Sequence, residues 1–137
     1  MPLFIINIHG FLDLEYRGYN MGNLYYKVKL YLEANGKTES EFTSNIMLQN
    51  DGSGDYINTW NVSGVAKPTD SQLNSLNTNA TKEYNNAIVR NVRESSYGKI
   101  GDQLDLLYKD MLAGKLDSTG EWAKKIKAVK DANAKEE

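Results

Sequence analysis

The sequence predicts an α+β fold, and three observations carry that expectation. Apolar residues alternate with a period of two over the first third of the chain, and from about residue 69 they recur every three or four positions. Clusters of Gly, Asn and Asp punctuate the runs. A period of two marks a strand with one buried face, whereas the longer period marks a helix with one apolar stripe. The expected architecture is an N-terminal antiparallel β-sheet of about four strands over residues 1–66. A long helix and a C-terminal helical hairpin follow over residues 67–137, all in a single domain.

In the first strand Phe4, Ile6, Ile8, Leu12, Leu14 and Tyr16 occupy even positions, with Gly10 in their row, and Asn7, His9, Asp13, Glu15 and Arg17 the odd ones. Either one long strand bends at Gly10 or two short ones meet there. "RGYNMGN" reads as a loop. The second strand sets Leu24, Tyr26, Val28, Leu30 and Leu32 on one face and Tyr25, Lys27, Lys29, Tyr31 and Glu33 on the other. "EANGKT" then reads as a hairpin turn. A two-residue loop centred on Asn35-Gly36 would send the next apolar row, Phe42, Ile46 and Leu48, to the opposite face. A three-residue loop with Gly36 left-handed keeps both rows together and is the expected form. After "QNDGSGD" a further strand runs from Tyr56 to Val62, with Tyr56, Trp60 and Val62 on one side.

The first helix opens at Thr69, where Gln72 completes a capping box and Pro68 blocks extension backward. Its stripe is Leu73, Leu76, Ala80, Tyr84, Ala87, Ile88 and Val92, and Gly98 ends it. In "KIGDQLDLLYKDMLAG", Ile100, Leu104, Leu107, Tyr108, Met111 and Leu112 form the next stripe, with Gly114 as a C-terminal stop. The last helix is expected from Ser118, capped with Glu121, and its stripe of Trp122, Ile126 and Val129 is expected to meet the preceding one. Lys124, Lys125, Lys127 and Lys130 coat its solvent side, and "DANAKEE" is expected to fray.

Composition narrows the function. The chain has 137 residues, 40% hydrophobic and 25% charged, which are ordinary globular values. Its net charge of -2 gives no long-range attraction to nucleic acid or to an anionic membrane. The absence of cysteine removes disulfides, thiolate metal sites and a cysteine nucleophile. "MPLFIINIHGF" is too short to span a bilayer and lacks both a basic flank and a small-residue cleavage site, so it reads as a strand.

Particular motifs add little chemistry. His9, the only histidine, stands on a solvent row beside Asp13 and Glu15. Asp51, Ser53 and Asp55 are spaced like the start of a calcium loop. However, Tyr56 stands where the glycine belongs and Val62 where the bidentate acid belongs. No cofactor, metal or small-molecule substrate is expected.

Two constellations remain. Asp102 and Asp105 lie one helical turn apart and could share a proton or a metal in a small hydrolase. Their place at a helix start favours capping and interaction with the helix dipole. Tyr25, Lys27, Lys29 and Tyr31 interleave aromatics with lysines on one strand face, a composition found at protein interfaces and sugar-binding surfaces. That face is either a contact surface or one that the helices cover.

The C-terminal third adds a resemblance. It carries Tyr97, then Ile100-Gly101-Asp102-Gln103-Leu104-Asp105, Leu107-Tyr108, Gly114, Trp122 and Ile126 to Lys130. This string resembles a module at the end of small tail-associated and otherwise unassigned virion proteins of tailed bacteriophages, notably marine cyanophage-like ones. Family members often carry a proline near the start of the module and another in the tail, where this chain has Ser95-Ser96 and Ala134. The resemblance implies a non-enzymatic structural or tail-associated protein, made in the host cytoplasm and built into the virion. Its partners would be other phage structural proteins or further copies of itself. A tail-fibre assembly factor or small adaptor absent from the mature particle is the other role it implies.

Overall fold

The computed structural model describes residues 22–137, so the strand expected over residues 4–17, with His9, lies outside the described residues. The chain divides into two compact units, Met1–Tyr84 and Asn85–Glu137. The fold mixes helix and strand as expected for the α+β class. Among the described residues, however, there are five α-helices and one two-stranded antiparallel sheet rather than about four strands.

The largest correction is at residues 22–34. The expected second strand is a helix, α1, Gly22–Ala34. Both periods fit this segment, because Leu24, Val28 and Leu32 stand on the alternating row and also four residues apart. Packing separates the two readings. Val28 and Leu32 are fully buried against Phe42, Ile46, Leu48, Ile57, Val62 and Leu73, with Leu24 and Tyr25 packed at the edge, which is the i, i+4 stripe of a helix. Leu30, on the same row in a strand, is only half-buried.

The hairpin expected at Asn35-Gly36 is therefore a helix stop. Gly36 is left-handed, with φ of 70°, and its N–H donates to Glu33 O while that of Lys37 donates to Leu32 O. This is the paired closure of a Schellman motif, and it explains why glycine is needed there.

Phe42 enters the core from a 3-10 turn, Glu39–Thr43, whose start is capped by the Thr38 hydroxyl. Strands β1, Ile46–Asn50, and β2, Asp55–Trp60, form the hairpin around "DGSG". Ile46 pairs with Trp60 and Leu48 with Ile57, so β2 carries one extra residue, Asn58, between them. This bulge brings Ile57 and Trp60 to one face, and Ile57 rather than Tyr56 is buried. In the hairpin loop, Asn50 Nδ2 donates to Asp55 Oδ1 at 2.6 Å and the Ser53 amide donates to Asp51 Oδ1 at 3.2 Å. The Asp51 and Asp55 carboxylates thus accept hydrogen bonds from the turn itself.

The Thr69–Gln72 capping box forms as the sequence predicts and opens α2, Asp70–Ser75. The expected single long helix breaks at Leu76 and resumes as α3, Asn77–Tyr97. "NSLNTN" is poor in helix formers, which makes a break there inexpensive. Leu73, Ala80 and Ala87 keep their buried places on the stripe. Gly98, with φ of 81°, ends α3 where expected.

In the second unit α4, Ile100–Leu112, and α5, Glu121–Ala132, form the helical hairpin. The tail expected to fray is tied back: Asn86 exchanges two hydrogen bonds with the Glu136 backbone, at 3.0 and 2.8 Å. Arg93 donates to the carbonyls of Asn133 and Lys130 at the end of α5, where cationic side chains satisfy orphan acceptors. No described helix is long and apolar enough to cross a membrane.

Candidate functional site

The four residues expected on one strand face are separated by the helix. At 100° per residue, Tyr25 and Lys29 fall on one side of α1, and Lys27 and Tyr31 on another. Tyr25 lies against Phe42, with ring centres 4.7 Å apart, and edge-on to Tyr26 at 5.2 Å, and its hydroxyl donates to Glu39 Oε2 at 3.1 Å. The Lys29 ammonium lies 3.7 Å from Glu39 and 3.8 Å from Glu33. Tyr31 donates to Ala66 O at 3.2 Å and packs near Trp60. Lys27 lines an open cleft of about 550 Å³ with Asn23, Asp55, Lys67 and Asp70.

Burial, followed by the charge of Glu39, pushes the Tyr25 phenol well above its ordinary value of 10. The folded state therefore favours the protonated phenol. The resulting stabilisation is fully present below about pH 10 and is lost as the pH rises above it. Urea titrations should show a falling alkaline limb in the wild type and a flatter one in Tyr25→Phe; identical limbs would disprove the assignment.

The three carboxylates of "GDQLDLLYKD" have three different situations. Asp102 lies exposed in the first turn of α4, whose N-cap, Lys99, makes no side-chain capping bond. The expected capping bond from Asp102 is thus replaced by a dipole interaction alone. Asp105 pairs with Lys109 at 2.7 Å, with the two side chains 62% and 66% exposed, a geometry that contributes little in water.

Asp110 is buried, and its Oδ2 accepts the Trp122 amide at 2.8 Å. It thereby caps α5 from a neighbouring helix. The cap expected from Ser118 and Glu121 is not used, because α5 starts at Glu121 with Gly120 as its N-cap, and Glu121 instead pairs with Lys124. Asp110→Ala should cost about 1–2 kcal/mol, while Asp102→Ala should cost no more than about 0.5 kcal/mol. Thermal denaturation of the two variants side by side checks this order.

This cap also fixes which way α4 faces. Gln103, Leu106 and Leu107 are half-buried and Asp110 is buried, a stripe at intervals of three and four. The residues expected to meet the helix of Trp122 instead face outward. Ile100, Leu104, Tyr108, Met111 and Leu112, with Leu116 beyond the helix, are between 53% and 73% exposed. Only Leu107 of the expected stripe turns inward. The signal for this was present but obscure, because α4 is apolar on more than one side and its anchor is a charged residue.

Single exposed apolar side chains are normal, but a continuous row along a helix marks a contact surface. The outward row of α4 is therefore the candidate site. Apart from the Tyr108 phenol its side chains are aliphatic or thioether; among the described residues, no three His, Cys, Asp or Glu side chains converge to hold a metal ion. What it presents to solvent is mainly apolar area.

Comparison with known proteins finds no family model, no curated protein and no solved structure that matches this chain.

Proposed function

We propose that the protein is a non-enzymatic structural or tail-associated component of a tailed-bacteriophage virion, made in the host cytoplasm and acting through protein–protein contacts. One observation supports the contact role: the outward apolar row of α4 is more than half exposed along its length. It lies within the segment whose sequence resembles the phage virion module. A free-standing domain gains nothing from leaving such a row in water, whereas an assembled one buries it.

Proteomics of purified particles tests the virion placement. A stoichiometric amount of this chain in the particle supports it. Abundance in infected lysate with absence from the particle overturns it in favour of an assembly factor or adaptor. Tyr25, Lys27, Lys29 and Tyr31 are a second set of contact candidates under this proposal. A substitution there that weakened association without lowering stability would assign them that role.

A further inference from the structure

The open cleft of about 550 Å³ that Lys27 lines is bounded by α1, β2 and the segment from Lys67 into α2, all within the first unit. Its size falls in the range of small-ligand sites. The floor is apolar: Ile57, Pro68 and Leu73 are buried, and Leu24 is packed against the same core. Each bounding element adds polar groups. Asn23 and Lys27 come from α1, Asp55 and Tyr56 from β2, and Lys67, Asp70 and Asn74 from the third segment.

Two lysines and two aspartates thus share one space, yet none of the four pairs with another. Lys67 Nζ donates instead to Ile57 O at 2.8 Å, and Asp55 Oδ1 accepts from Asn50 Nδ2. Lys27 and Asp70 make no side-chain hydrogen bond or ion pair among the described residues. Asn23 Nδ2 donates to Thr81 Oγ1 at 2.9 Å, which leaves its carbonyl oxygen to accept. Opposite charges that line a cleft without meeting leave room between them for a ligand that both donates and accepts hydrogen bonds.

The mixture of signs narrows the ligand. A phosphate or carboxylate drawn to the lysines would meet the aspartates, and a cation would meet the lysines. A zwitterion needs the two signs on separate sides, whereas Lys67 and Asp70 lie three residues apart on one segment. A neutral polyol has no such conflict, because each hydroxyl can donate to a carboxylate and accept from an ammonium or an amide. A pyranose ring also has C–H faces that suit an apolar floor and the ring of Tyr56, which is 38% exposed.

We propose that this cleft binds a short neutral oligosaccharide, with Lys27, Asp70, Asn23 and Asn74 on its hydroxyls and Tyr56 against a sugar face. This goes beyond the contact role proposed above and does not rest on it.

Titration of the isotope-labelled full chain with maltotriose, cellotriose, mannotriose and chitotriose, followed by NMR, tests the proposal. At least one sugar should shift the amide signals of residues 23–27, 55–57 and 67–74 and saturate at about millimolar concentration. Inorganic phosphate and triglycine should leave those signals in place. Lys27→Ala and Asn74→Ala each put a better helix former at a helical position, so both variants should stay folded. Each should weaken sugar binding about fivefold. No saturable shift with any of these sugars up to about 20 mM, tighter binding of phosphate or triglycine, or binding unaltered in both variants would each overturn the proposal. Particle proteomics bears on the virion placement alone, so the two readings fail separately.

Discussion

Leu32→Ala is expected to destabilise the first unit by about 2–5 kcal/mol, among the largest effects of any single truncation in it. Leu32 is fully buried, in a cluster with Val28, Phe42, Ile46, Leu48, Ile57, Val62 and Leu73. Removing its branched end loses the transfer free energy of those atoms and leaves a cavity that helix, turn and hairpin cannot all close upon. The informative control is Leu30→Ala. If residues 24–33 formed a strand, Leu30 and Leu32 would share a face and the two truncations would cost alike. In the helix Leu30 is only half-buried, so its truncation should cost less than half as much. Urea denaturation of the pair decides the matter, and equal losses would contradict α1.

Gly120→Ala is the corresponding test in the second unit. A Cβ on Gly120 would lie 2.4 Å from Lys115 O and 2.7 Å from Asp110 Oδ2. The Gly120 backbone, with φ of -68°, suits any residue, so the whole penalty is crowding. One of the atoms to be displaced belongs to the main chain and the other holds the Trp122 amide, so relief requires breaking the cap. The expected cost is about 2–3 kcal/mol. It should register in the Trp122 fluorescence transition of a Trp60→Phe background. A variant that melted with its parent would show that the turn can open without loss, and would remove the reason given for the orientation of α4.

Local signals were legible wherever the chemistry that makes an element lies within a few residues of it. Thr69 and Gln72 form their capping box because both groups belong to the same turn of chain. Gly98 and Gly114 adopt the left-handed backbone expected of helix stops, "NDGSGD" closes a hairpin, and Gly36 is left-handed as expected but ends a helix rather than turning a hairpin. The α+β class holds, although the period-two run at residues 24–33 that helped to suggest it is helix α1. The Asn58 bulge was not visible, since it shifts register by one residue without any local mark in the sequence.

The remaining features depended on partners distant in sequence. "LYYKVKLYLE" satisfies both periods, and the choice fell to whichever shape buried Val28 and Leu32 against a core assembled from residues 42–73. Helix α4 carries apolar residues on two sides, and its rotation was decided by the bond from Asp110 to an amide 12 positions away. A buried carboxylate must find donors, and the free amides at the start of α5 supply them. Apolar area, by contrast, can be buried against any apolar surface. The sequence by itself therefore determined where α3 and α4 stop, where β1 turns into β2 and which residue types are available, but not that Gly36 ends a helix. Only the tertiary structure decided which side of α4 is core and which is left outward, because a directional hydrogen bond selects an orientation and hydrophobic burial does not.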